Sequence, residues 1–112
     1  IAREEIFGPV MSVLPFESEA EALGRANGTP FGLAAGVFTR DLSRAHRVAA
    51  RIECGLVSVN TFRPVHWMLP YGGYKLSGIG RENSMQVMDQ FTETKTIVVD
   101  LSTGVPEDPF AN

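Results

Sequence analysis

At 112 residues, with 44% hydrophobic and 21% charged side chains, the chain has an ordinary globular composition and room for one domain at most. A net charge of −3 and a pI of about 5.3 give no electrostatic basis for binding nucleic acid or an anionic membrane, and no apolar run reaches the ~18–20 residues of a membrane span. The single cysteine, Cys54, excludes an internal disulfide and argues against a cysteine zinc site, which fits a reducing, cytoplasmic setting.

In chain order, residues 10–14 (Val-Met-Ser-Val-Leu) follow Gly8-Pro9, end at Pro15 and read as a buried strand. Ser18 and Glu21 form a capping box that starts a short helix, and Asn27-Gly28 predicts a left-handed stop. Residues 33–39 read as a second buried strand, whose Ala34, Ala35 and Gly36 invite close packing. Asp41 caps a second helix with an apolar stripe of Leu42, Ala45, Val48, Ala49 and Ile52. Arg40, Arg44, Arg47 and Arg51 fall largely off that stripe and read as a solvated face with local ion pairs. Cys54-Gly55 ends the helix, and residues 56–60 form a third strand.

Strands alternating with helices at this spacing imply an α/β fold with parallel crossovers. A parallel sheet needs helices on both faces, and these residues supply too few, so cover from other polypeptide is expected. The start at Ile1, without a methionine, likewise predicts a piece of a longer chain. Residues 61–80 read as a long loop, too apolar for disorder because it carries Phe62, Val65, Trp67, Met68, Leu69 and Tyr71. A helix over 82–90, a fourth strand over 92–101 and a tail over 102–112 complete the reading.

Four glycines fall between Gly72 and Gly80, which marks a shaped loop. Gly78-Ile79-Gly80-Arg81-Glu82-Asn83 lacks the last glycine of a dinucleotide fingerprint and its strand–turn–helix setting. A structural turn is therefore the better reading than a phosphate cradle. Two motifs carry more. Glu4-Glu5-Ile6-Phe7-Gly8-Pro9 is followed by Pro70-Tyr71-Gly72-Gly73-Tyr74-Lys75-Leu76-Ser77-Gly78-Ile79-Gly80-Arg81-Glu82. With residues 31–39 and Val57-Ser58-Val59-Asn60 between them, this order resembles the C-terminal part of an NAD(P)-dependent aldehyde dehydrogenase, from Glu4 to about Val99.

The resemblance implies an oxidoreductase that converts an aldehyde to a carboxylic acid with NAD or NADP. Residues 1–91 would be the C-terminal part of its catalytic domain, a parallel-sheet region. Residues 92–112 would be an oligomerisation strand, from Thr92 to Leu101, with a tail, giving a homodimer or homotetramer. In the family, the nucleophilic cysteine, the base glutamate and the Rossmann-type domain lie upstream of the first motif, so no catalytic residue and no metal site are expected here. The chain alone should then be inactive. Cys54 is no substitute, since a helix C-terminus disfavours a thiolate. By resemblance, Glu5 accepts hydrogen bonds from the nicotinamide ribose hydroxyls. Its two acceptor oxygens match a vicinal diol. Phe7, two residues on in an extended segment, would point the same way and meet the nicotinamide ring. Val65 and Tyr71 would line the aldehyde tunnel with His66 and Trp67 as neighbours, and the Trp67 face suits a cationic or aromatic aldehyde. Asn60, Lys75 and Arg81 read as loop-positioning residues. The competing readings are a stand-alone nucleotide-binding module and a purely structural oligomerisation module.

Overall fold

Both helix starts form as the side chains dictate. In the computed structural model, which describes residues 1–62, 64–101, 103–104, 108 and 110, helix α1 runs Glu19–Asn27 and α2 runs Leu42–Ala49. The Ser18 hydroxyl accepts from the Glu21 amide (3.2 Å), and the Asp41 carboxylate accepts from the Arg44 amide (3.0 Å). The reciprocal half of the capping box is displaced by one residue, because the Glu21 carboxylate accepts from the amide of Glu17 (2.9 Å).

The expected left-handed stop does not form. Gly28 takes φ −75°, and its amide donates to the Arg25 carbonyl. Asn27 does the terminating work with its side chain, donating to the Arg51 carbonyl (2.9 Å) and accepting from the Glu53 amide (3.0 Å). One side-chain amide thus joins the end of α1 to the turn that follows α2.

The strands are β1 (Phe31–Gly32), β2 (Ala34–Val37), β3 (Leu56–Val59) and β4 (Tyr74–Lys75). Strands β2 and β3 pair in parallel, from Ala34 with Leu56 to Val37 with Val59, and α2 connects them as a β–α–β unit. The strand expected over 33–39 thus forms as β2, within those bounds. Just before it, and separated from it by Leu33, the unexpected β1 turns aside to pair antiparallel with β4, inside the stretch read as loop. The helix expected over 82–90 starts late, as a 3₁₀ turn over Met85–Val87 followed by α3 (Met88–Phe91). Glu82 is held in a backbone bridge to Tyr71, and Asn83 and Ser84 take positive φ, which excludes helix there.

Two expected strands do not form among the described residues. Neither residues 10–14 nor residues 92–101 take up strand structure, and Met11, Val13, Ile97, Val98 and Leu101 stand exposed. Extended apolar segments need a neighbouring strand to satisfy their backbone, and among the described residues none is placed beside them. Of the expected α2 stripe, Ala45 is buried but Leu42 is exposed. Most of the tail expected over 102–112 lies outside the described residues.

The hydrophobic core is correspondingly small: among the described residues only Leu23, Ala45 and Cys54 are buried apolar side chains. The Cα radius of gyration is 22.8 Å, against about 13 Å for a self-contained domain of this length.

Candidate functional site

Leu33, at the split between β1 and β2, is where the two expected ligand regions meet. On one side lies a groove of about 500 Å³ lined by Arg3, Glu4, Glu5, Thr29, Leu33 and Ser77, among others. On the other lies a pocket of about 270 Å³ whose walls include Leu33, Gly36, Ser58, Phe62, Val65 and Tyr71. The first contains the expected ribose ligand, the second both expected tunnel-wall residues.

Glu5 presents an exposed carboxylate that has no ion pair or hydrogen bond among the described residues. It is free to accept from a diol, so the groove fits the ribose end of a nicotinamide nucleotide. Phe7 corrects the sequence argument. It is not in extended backbone but has φ +51°, so spacing by two does not align it with Glu5, and it lies outside the Glu5 groove. A phenylalanine in the left-handed region is strained, and this one is also 93% exposed.

Val65 and Tyr71 come together over β2 and β3. His66 and Trp67 do not join them in that pocket. They stack on each other, with ring centroids 5.5 Å apart, and His66 Nδ1 accepts from the Met68 amide (3.2 Å). Trp67 is 72% exposed, so its free face is open to a ligand. The pocket residues that sequence reading missed lie on or beside the strands, Leu33, Leu56 and Ser58 among them. Leu56 and Ser58 alternate along β3 and share its pocket-facing side, a period-2 signal that was available.

The glycine loop is built for self-bracing. Arg81 Nη1 donates to the carbonyls of Gly73 (3.0 Å) and Gly80 (2.6 Å), and its guanidinium sits 5.3 Å from the Tyr74 ring. Lys75 Nζ donates to the Asn27 carbonyl (2.9 Å) and pairs with Glu53 (2.8 Å). Both cations are thus committed inside the fold, which accords with a turn and leaves little positive charge for a phosphate. Gly80, at φ +82°, supplies the left-handed residue that the turn requires.

Cys54 is buried, and its thiol donates to the Leu56 carbonyl (3.1 Å). Burial pushes its pKa up, the opposite of what a nucleophile needs. Asn60, with φ +53°, clamps the strand ends: its Oδ1 accepts from the Thr39 amide (2.9 Å) and its Nδ2 donates to the Thr39 carbonyl (2.8 Å). Among the described residues no His/Cys/Asp/Glu cluster could hold a metal, and no helix is long and apolar enough to cross a membrane.

A strained aromatic, an open carboxylate and a glycine-braced pocket fit the expected family, and comparison decides it. The aldehyde dehydrogenase family model matches residues 1–97. The chain belongs to the aldehyde dehydrogenase family. It is 55% identical over 108 residues to a 4-trimethylaminobutyraldehyde dehydrogenase of Oryzias latipes, covering 96% of this chain and 21% of that protein. It is 54% identical over 110 residues to betaine aldehyde dehydrogenase 1 of Rhizobium meliloti (strain 1021), covering 98% and 22%. An NAD⁺ complex structure of an aldehyde dehydrogenase from Bacillus cereus superposes with a TM-score of 0.85 at 45% identity, covering 89% of this chain and 20% of that one. The chain therefore has an aldehyde dehydrogenase fold and spans about a fifth of the length of these relatives.

Proposed function

We propose that residues 1–91 are the C-terminal part of the catalytic domain of an NAD(P)-dependent aldehyde dehydrogenase, and residues 92–112 its oligomerisation strand and tail. The observation that carries this reading is the meeting, at Leu33, of the Glu5 groove and the Val65–Tyr71 pocket in a chain of this family. The complete enzyme oxidises an aldehyde to its acid, and the nicotinamide ring, when bound, accepts the hydride. Glu5 orients the nicotinamide ribose through its diol. The exposed Phe7 ring covers the nicotinamide. Val65 and Tyr71 wall the aldehyde path and exclude water from it. The thiol nucleophile, the base and the dinucleotide cradle belong to polypeptide outside these residues, and the small core and the uncovered apolar segments support that division. Residues 92–101 complete a sheet in a second subunit, which is supported by the exposed apolar run of Ile97, Val98 and Val99 with Leu101 after the polar Thr92 to Thr96. A cytoplasmic location goes with the same reading and rests on the lone, unpaired thiol.

The substrate class is an aldehyde bearing a quaternary ammonium group. Two relatives are named for such aldehydes, and the open Trp67 face backed by His66 offers a π surface to the cation. The test uses the complete polypeptide with NAD⁺ and a trimethylammonium aldehyde, followed by nicotinamide absorbance. Expected is turnover that exceeds that of the uncharged tert-butyl analogue by about 2- to 30-fold in kcat/KM, the range of a cation–π contact. A charged hydrogen bond contributes ~1.5–3 kcal/mol, so Glu5→Ala should raise the cofactor KM or lower kcat about tenfold or more. Unchanged cofactor kinetics would remove Glu5 from the site. Saturable NAD⁺ binding by the 112-residue chain alone would favour the stand-alone nucleotide-binding module instead.

A further inference from the structure

Ser58 is the sole buried polar side chain among the described residues, 8% exposed, and it lies in the wall of the Val65–Tyr71 pocket. Nothing about packing requires a hydroxyl there, since its pocket neighbours on the strands are Leu33, Ala34, Ala35, Gly36 and Leu56. Burying a hydroxyl is unfavourable unless its hydrogen bond is made, so the bond it makes accounts for the residue.

That bond reaches the loop. The Ser58 hydroxyl lies 3.0 Å from the Thr61 carbonyl and 3.3 Å from the Ala35 carbonyl. It carries one hydrogen, and the shorter contact is to Thr61. Asn60, between them, is in the left-handed region and turns the chain back, which brings the Thr61 carbonyl to a hydroxyl three residues earlier. The Asn60 amide donates to the Val37 carbonyl (2.8 Å), and its side chain is committed to Thr39. Asn60 therefore fixes the strand ends, whereas Ser58 reaches past them and holds the first residue of the loop that carries Phe62, Val65 and Tyr71.

We propose that Ser58 is a positioning residue for the aldehyde pocket: by donating to the Thr61 carbonyl it pins the point at which the wall-forming loop leaves β3. The inference rests on the aldehyde-pocket reading given above. It predicts an effect on aldehyde recognition that is separate from cofactor binding, because the Glu5 groove does not include Ser58.

The experiment compares Ser58→Ala and Ser58→Thr in the complete polypeptide, by steady-state kinetics and by amide hydrogen exchange. For Ser58→Ala, aldehyde KM should rise about three- to tenfold, the equivalent of one lost hydrogen bond, with cofactor KM unchanged and kcat within about twofold. Ser58→Thr, which keeps the hydroxyl, should restore aldehyde KM. Exchange in Ser58→Ala should quicken at the loop amides from Thr61 to Leu69 while β2 and β3 keep their protection. An unchanged aldehyde KM, an equal rise in cofactor KM, or loss of protection throughout β2 and β3 would each overturn the proposal. Should the wild-type polypeptide oxidise no aldehyde, the enzymatic reading falls by itself, and the exchange data still decide whether Ser58 holds the loop.

Discussion

Residues 34–59 and the two segments at 10–14 and 92–101 all read as strand-forming from the sequence, yet only the former build a sheet among the described residues. In the middle region β2 finds its neighbour after one crossover: α2 carries the chain from β2 back to β3 beside it. Asn27 ties the end of α1 to the α2–β3 turn, and Arg47 donates to the Glu19 carboxylate with two nitrogens (2.8 and 2.7 Å). Met11, Val13, Ile97 and Val98 have no neighbouring strand among the described residues and stand exposed. Propensity proposes a strand, and a partner within reach makes one. Regions that hold themselves should respond to local substitutions as stability changes, whereas the outer segments should respond only to what covers them.

The largest expected effect breaks the middle region where it meets the glycine loop. A Cβ on Gly55 would overlap the Gly72 carbonyl oxygen, with backbone on both sides and no flexible side chain to give way. Gly55→Ala must therefore push the loop off the entry to β3, at a cost of about 3 kcal/mol, read as a lowered denaturation midpoint of the complete polypeptide. Ala in place of Gly24, where nothing lies near the added carbon, is the matched control and should leave the midpoint within about 1 kcal/mol of wild type or above it. Equal midpoints for the two variants would mean that the loop does not seat on Gly55.

A smaller effect tests the α1 start. Ser18→Ala removes the acceptor for the Glu21 amide and should cost about 1 kcal/mol. Ser18→Asp keeps an acceptor next to the helix N-terminus and should recover most of that loss. A full loss in both variants would show that α1 is held by its packing alone.

The same contrast explains what the sequence disclosed. Both helix caps were legible because Ser18 and Asp41 act within three residues of themselves. The arginines off the α2 stripe were legible as ion-pairing residues, although periodicity could not say that Glu19, on another helix, is the partner of Arg44 and Arg47. Strand β4 was illegible: two residues carry no period, and its pairing with β1 is decided by the fold of the glycine loop. The late start of α3 was hidden because Glu82 reads as helical but is captured by Tyr71. Of the candidate site residues, Glu5 and Tyr71 were proposed from motif and Val65 from its position in the loop, whereas the conformation of Phe7 and the place of Leu33 in both walls depend on three-dimensional placement.

The smallest effect sharpens the comparison through pH. The Arg47 guanidinium holds the Glu19 carboxyl below the ordinary glutamate range, and this pairing joins α1 to α2. A carboxyl whose pKa is depressed by folding stabilises the folded state fully above the unfolded value of about 4.3. That contribution disappears as pH falls through the lower folded value, because both states are then protonated. Glu19→Gln should therefore lower the denaturation midpoint slightly at pH 7, with the difference from wild type closing as pH drops below about 4. Glu21 and Asp41 are also depressed, chiefly by the backbone amides of Glu17 and Arg44. They titrate alike in both proteins and cancel in the comparison. The pair is exposed, so salt should shrink the pH 7 difference as well. A difference that persists unchanged at pH 3 would assign the joint between α1 and α2 to Asn27 and apolar packing alone, with the ion pair as surface ornament.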